Sequence, residues 1–453
     1  TFNYEFTVQR LTDEEDNFLG YFVTCIDRTE ETEKYREEHY RATHDMLTGI
    51  YNEQCFEEHV IETLRTAGKP YVMITSDIKD FKLVNDMLGT KCGDEILKMH
   101  AHYLRDRAKE DEVYGRLRED QFAFCMPKER YTEEMFIDVM DRVISSFENE
   151  YFRLQLYMGV YEITDVTEPV YVMIDKCNLA ISTIKGDYAK RVAYFDDALL
   201  HKEVKKNMII NEFEQALALG QIQIYLQAQT RADGTVTGAE ALARWLHPTK
   251  GLIAPNEFIP TLEATGLIYK LDLFVWDLAA QQLALWHEKG RDDLYLSVNI
   301  SVQDQYYLDV YEVFTGLVEK YHIDPRKLKL EITETLFVSE LENHKNMLER
   351  LQSYGFEVEI DDFGSGYSSL NILKDIKADV IKIDMGFLQE TKNVDRSQSI
   401  LRSLIRLVKQ LHMEVITEGV ETEQQVQELL EMGCECFQGF YFCRPIPLEE
   451  FEE

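Results

Sequence analysis

The sequence predicts an α/β protein of two large domains and a small N-terminal piece, the C-terminal domain being a TIM-like (β/α)8 barrel. Three observations carry this. At 453 residues the chain exceeds one ordinary domain. Hydrophobic residues make up 45% of it, enough for sizeable cores. From Gln221 to Phe451 short apolar runs recur, each closing on a polar or acidic residue, with amphipathic helical segments between them. Roughly 230 residues suits a parallel β/α barrel, whose strand ends converge on the face where active sites are built.

Composition narrows the function. A formal net charge of −35 and a pI near 4.7 argue against wholesale binding to a DNA or RNA duplex or to an anionic membrane. An anionic substrate would need metal ions or local Lys and Arg to reverse the field. The eight cysteines are scattered and, with no signal peptide, read as reduced thiols of a cytoplasmic chain. Cys434 and Cys436 have no second Cys/His pair to complete a zinc site. No apolar run reaches the length of a membrane span. The start at Thr1, without Met, leaves room for an upstream segment that attaches a longer protein to a membrane.

In chain order, residues 2–8 and 18–26 alternate or run apolar around D-E-E-D-N, which predicts a hairpin. Residues 28–44 are charged and helix-forming, a connecting helix. Together they resemble the tail of a PAS-type sensor (1–27) followed by a signalling helix (28–44). The next unit opens at D-M-L-T-G-I-Y-N, 45–52, and carries Asp77, the F-K-L-V-N-D run at 81–86 and Gly93-Asp94. Over 45–197 it resembles the GGDEF domain, the diguanylate cyclase family, which implies an α/β sandwich. The signature departs from the family: Arg118-Glu119-Asp120-Gln121-Phe122 stands where G-G-(D/E)-E-F is expected. Paired glycines let backbone approach a triphosphate closely. Arg118 and Glu119 add side chains there, Gln121 replaces a functional carboxylate, and Lys79 replaces the second acid of D-x-D. Cyclase activity is therefore expected to be lost. The positions that would hold GTP by resemblance, Asp77, Asn85, Asp94 and Asp120, survive. Lys109 and Glu112 occupy the family's inhibitory R-x-x-D, so that site is expected not to work. Residues 198–220 have helix-like apolar spacing and stop at Gly220, a second connector.

The barrel unit, 221–453, carries the chemistry. Its strand ends are Glu240, Asn299, Glu331, Asp361, Lys382, Glu418 and Gln438. Adjacent Asp361 and Asp362 repel unless a cation sits there, although D-D-x-G alone equally fits a solvated turn. Acids and an amide without His or Cys suit Mg²⁺ or Mn²⁺ rather than zinc. Crowded carboxylates call for two such ions, which activate a water for in-line attack on phosphorus. Lys382 would orient that water or stabilise the developing charge, and Arg244 would clamp a phosphate oxygen.

E-A-L-A-R-W at 240–245 resembles the EAL domain, the cyclic di-GMP phosphodiesterase family. V-N-I-S at 298–301, L-E-I-T-E-T at 330–335 and D-D-F-G-S-G-Y-S-S-L at 361–370 continue the match. So do K-I-D at 382–384, E-G-V-E at 418–421 and Q-G-F at 438–440. The resemblance implies that Glu240, Asn299, Glu331 and Asp361 hold a first metal and that Asp361, Asp362 and Glu418 hold a second. It makes Lys382, Glu418 and Glu240 catalytic, and Gln227, Leu242, Arg244, Glu421 and Gln438 substrate contacts. Glu334 would anchor the loop 363–369, which in the family couples dimer contacts to metal binding. The implied reaction opens cyclic di-GMP to linear pGpG in a homodimer, with GTP as a ligand of the degenerate domain. A non-hydrolytic cyclic di-GMP receptor, signalling through the two linker helices, is the alternative.

Overall fold

The computed structural model describes residues 3–14, 18–146, 154–187, 189–337, 341–363, 373–374, 376–384 and 394–452. The chain divides into two compact units, Thr1–Val204 and Lys205–Glu453.

The first unit opens with strands β1 (Tyr4–Thr12) and β2 (Phe18–Asp27), paired antiparallel as the alternation predicts. Helix α1 (Thr29–Thr43) follows. A five-stranded sheet forms the body, from β3 (Tyr71–Ile78), β4 (Val113–Arg116), β5 (Phe122–Pro127), β6 (Leu156–Glu162) and β7 (Val192–Tyr194). Its order is β4-β5-β3-β6-β7, with β3 antiparallel to both neighbours. Alternate strand residues feed two cores, one around Ile74, Phe124 and Met158, the other around Met73, Cys125 and Cys177.

The second unit is the barrel. Strands β8 (Ile222–Arg231) and β9 (Val236–His247) lead, with β10 (Gly251–Ile253) pairing on the outer end of β9. Then come β11 (Tyr295–Ile300), β12 (Leu328–Thr333), β13 (Val358–Asp361), β14 (Val380–Asp384), β15 (Glu414–Glu418) and β16 (Cys436–Gln438). Strands β9 and β11 to β16 pair in parallel, and β8 pairs with both β9 and β16 to close the ring at eight strands. The purely parallel barrel expected from sequence needs one correction: β8 runs antiparallel to both neighbours. Only 232–235 separate β8 from β9, with Gly234 at φ +86°, and so tight a connection permits only an antiparallel hairpin.

Each parallel strand places apolar residues against the helices and polar ones inside. In β12, Leu328, Leu330 and Ile332 belong to the apolar core, whereas buried Lys329 and Glu331 alternate with them. The interior polar groups form two layers. In the lower, Ser297 Oγ donates to Glu359 Oε2 at 2.7 Å, and Lys329 Nζ lies 3.4 Å from Glu359 Oε1 and 3.1 Å from Glu357 Oε2. The upper layer is the candidate site.

Candidate active site

Lys382 is its centre. The side chain is wholly buried in β14, with Nζ 3.2 Å from Glu240 Oε2, 2.5 Å from Glu418 Oε1 and 3.8 Å from Asp361 Oδ1. It also donates to Glu331 Oε1. One ammonium therefore faces four carboxylates, and it can offset only one negative charge. Burial opposes the charge on Lys382, but Glu240, Glu331 and Glu418 more than reverse that and carry its pKa well above the ordinary value. Burial likewise works against ionised Glu240, yet Lys382, Gln438 and Asn299 hold that carboxyl below its usual range. Glu331 goes the other way, raised well above normal by burial and by Glu240. Burial pushes Glu418 up to about 8, with Asp361 and Glu240 adding to it against Lys382. The four acids thus share the lysine unequally, its field favouring the charged form most at Glu240.

The donor set fits a divalent cation. Oxygens of Glu240, Glu331 and Glu418 lie within 4.8 Å of one another, and buried Glu331 Oε2 and Asp361 Oδ1 lack a hydrogen-bond partner. All are hard oxygens of the kind Mg²⁺ and Mn²⁺ prefer. Asp362 follows β13 in a left-handed conformation, φ +52°, which breaks the strand's alternation just where the second acid is needed. Its half-buried carboxyl is raised by burial and by Asp361 and Asp384.

Amides brace the acids. Asn299 Nδ2 donates to Glu240 Oε1 at 3.0 Å, and Gln438 Nε2 donates to Glu240 Oε2 at 2.6 Å and to Gln227 Oε1 at 3.2 Å. Two supports escaped the sequence reading. Gln229 Nε2 donates to Gln438 Oε1 at 3.0 Å, and Trp276 Nε1 donates to the Asn299 carbonyl at 2.9 Å. Gln229 was legible in principle, since it lies two residues after Gln227 on one strand face. Trp276 lies in helix α2 (Ile268–Glu288), and its apolar setting points only to core packing.

The remaining expected contacts stand further out. Leu242 pairs across with Tyr225. Arg244 is half-buried over the Tyr225 ring, 5.6 Å from its centroid, with Nη1 donating to the Ala243 carbonyl at 2.8 Å. Glu421 is exposed, its backbone N–H donating to Gln425 Oε1 at 2.8 Å. Glu334 is buried after β12, but residues 364–369 of its expected loop lie outside the described residues. Asp272 of α2 is buried, as is Asp304, whose Oδ2 accepts from Ser301 N–H at 2.8 Å. Burial and the neighbouring Asp304 carry Asp272 well above the usual range, and burial lifts Asp304 to about 6.

Residues 210–445 match the EAL domain family model, and residues 42–189 match the diguanylate cyclase, GGDEF domain. The chain belongs to the EAL family. It is a GGDEF–EAL tandem. Signaling protein YkoW of Bacillus subtilis is 31% identical over 447 residues, covering 95% of this chain and 55% of that protein. Cyclic di-GMP phosphodiesterase NbdA of Pseudomonas aeruginosa is 30% identical over 420 residues, covering 91% and 54%. The chain thus spans about half the length of these curated relatives. Among solved structures, the PaMucR phosphodiesterase in complex with c-di-GMP is 35% identical, with a TM-score of 0.51, over 54% of this chain and 99% of that one.

The GGDEF domain holds a cavity of about 760 Å³ lined by Asp77, Asn85, Asp94 and Asp120, the four residues expected there. Asp77 Oδ2 is ion-paired to Lys185 Nζ at 2.6 Å. Asp120 Oδ2 accepts from Ile78 N–H at 2.9 Å, and burial pushes its carboxyl up to about 6. Glu119 sits at φ +43°, a backbone that suits the glycine expected at this position, and Arg116 Nε pins its carbonyl at 2.9 Å. Arg118 turns away to Glu53, 3.1 Å distant. Among the described residues of the chain, no helix is long and apolar enough to cross a membrane.

Proposed function

We propose that the EAL domain hydrolyses cyclic di-GMP to linear pGpG, and that the GGDEF domain is a non-cyclising regulator that takes GTP. The observation that carries the first part is one buried lysine among four carboxylates in the upper polar layer of the barrel interior. Glu240, Asn299, Glu331 and Asp361 would hold one Mg²⁺ or Mn²⁺, and Asp361, Asp362 and Glu418 a second. Such ions, when bound, supply charge neutralisation and an acidified water for attack on phosphorus. Lys382 orients the attacking oxygen and meets the charge that develops on the phosphoryl group. Glu418, 2.5 Å from Lys382 Nζ, is the carboxylate that would aid deprotonation of the attacking water. Gln227, Gln229 and Gln438 form a hydrogen-bonded row that fixes Glu240 and offers amide edges to substrate. For the GGDEF domain, Gln121, Lys79 and the Arg118-Glu119 pair argue against cyclisation, while Asn85 and Asp94 favour retained nucleotide binding. A homodimer is part of this reading, checked by light scattering.

The test is cyclic di-GMP turnover by the purified chain with Mg²⁺ and with Mn²⁺, beside Glu240→Ala and Lys382→Ala. Formation of pGpG by the parent, lost in both variants, supports the hydrolase. Tight binding without turnover in either metal would refute it and leave a receptor.

A further inference from the structure

We infer that the GGDEF cavity binds the phosphates of a guanine nucleotide without a divalent cation, the Lys185 ammonium standing against Asp77 where a metal ion would otherwise be needed. The inference rests on the reading of this domain as a GTP-binding regulator and adds how the phosphates are met.

The cavity's acids do not fit a metal. Asp77 is committed to Lys185 at 2.6 Å. Two residues on, Lys79 replaces a carboxylate with a cation. Asp120 is turned to the Ile78 N–H, and burial favours its protonated form. An ion placed on Asp77 would meet the Lys185 ammonium already there.

The same arrangement suits phosphate. Lys79, Lys82, Arg116 and Lys185 line the cavity beside Asp77, Asp80, Asp94, Glu119 and Asp120, so its lining is close to charge balance in a chain of formal net charge −35. Lys185 is half-exposed, so a ligand can reach Nζ while it stays on Asp77, and a lysine serves phosphate as a point charge. Asp80 and Glu119 also line the cavity, which caps the affinity. The base end is separate and preformed. A Cβ on Gly93 would fall 2.0 Å from Asn85 Oδ1, so the missing side chain is what lets Asn85 lie where it does. Asn85 and Asp94 then offer an amide and a carboxylate to the donor and acceptor edge of guanine. At about 760 Å³ the cavity is within the usual range of ligand sites.

The experiment is calorimetric titration of the whole chain with GTP, in EDTA and in Mg²⁺, for the parent and Lys185→Gln, with cyclic di-GMP turnover recorded alongside. The parent is expected to bind GTP in EDTA within about threefold of its Mg²⁺ affinity, as a lysine point charge suffices for phosphate. Lys185→Gln should bind about tenfold or more weakly in EDTA, the effect of removing one charge-assisted hydrogen bond to phosphate. Mg²⁺ should recover part of that, because Asp77 is released. The side chain is half-exposed, so an unchanged thermal transition verifies the fold of the variant. Parent binding that vanishes in EDTA, or a variant indistinguishable from parent, overturns the inference and leaves the GTP-binding regulator standing. No GTP binding under either condition overturns both, while turnover still reports independently on the EAL domain.

Discussion

Replacing Lys382 by methionine removes the ammonium but keeps a flexible apolar chain of similar length, so the change isolates charge. Four acids lose their shared cation: Glu240 at 3.2 Å, Glu418 at 2.5 Å, Asp361 at 3.8 Å and the hydrogen-bonded Glu331. Breaking a buried pair by deleting one partner costs about 3–5 kcal/mol. For a unit the size of Lys205–Glu453, about 2–4 °C accompanies each kcal/mol, so the barrel transition should fall by roughly 6–20 °C in EDTA. A divalent ion binding only the folded state adds about 2.7 kcal/mol at a hundred times its Kd, so Mn²⁺ should restore half or more of the deficit. Turnover should not return, remaining down by about 10²–10³, the scale of one lost electrostatic stabiliser. The assay is differential scanning calorimetry of parent and Lys382→Met, with and without Mn²⁺, beside pGpG release. A loss under about 1 kcal/mol in EDTA, or a deficit that Mn²⁺ leaves untouched, would refute the view of Lys382 as an internal cation for these acids.

Trp276→Phe removes the hydrogen bond to the Asn299 carbonyl and should weaken Mn²⁺ binding about tenfold while costing about 1 kcal/mol of stability; unchanged metal affinity by titration would show that this brace does not reach the site. Asp304 has a raised folded pKa of about 6, so its folded state binds the proton more tightly. That stability is full below the ordinary aspartate range and is lost as pH rises through 6. From pH 5 to 7.5 the parent should lose about 1.4 kcal/mol more than Asp304→Asn in urea denaturation, and parallel pH profiles would contradict the raised pKa of Asp304. Glu119→Gly should raise the GGDEF transition by about 1 kcal/mol by relieving the left-handed backbone, without restoring diguanylate cyclase activity, since Lys79 and Gln121 remain; a lower transition would argue against strain at that turn.

The parallel strands were legible because each is a short apolar run that stops on one polar residue, a purely local pattern. The reverse direction of β8 was not, since an apolar run reads the same whether its strand points up or down; only the short link 232–235 hinted at it. Glu240 was placed at a strand end, yet β9 continues to His247 because β8 and β10 extend its ladder. Side-chain identity announced the carboxylates, whereas pairings between distant positions left no local trace. Gln229 meets Gln438 across 209 positions, and Lys185 meets Asp77 from the other end of the GGDEF sequence. In the signature turn the substitution of glycines was visible, but not that Glu119 would adopt their backbone.

The two charged layers inside the barrel bear on how the chain finds its fold. A barrel filled with Val, Leu and Ile discriminates weakly between neighbouring strand alignments, because one hydrocarbon substitutes for another. Here Ser297, Lys329 and Glu359 must meet in one layer, and Glu240, Glu331 and Lys382 in the next. Sliding β12 by a single residue would turn Lys329 and Glu331 into the apolar shell and Leu330 inward, stranding charges at several kcal/mol each. Misaligned closures are thereby penalised, so the chemistry-bearing residues also favour a single alignment of the strands.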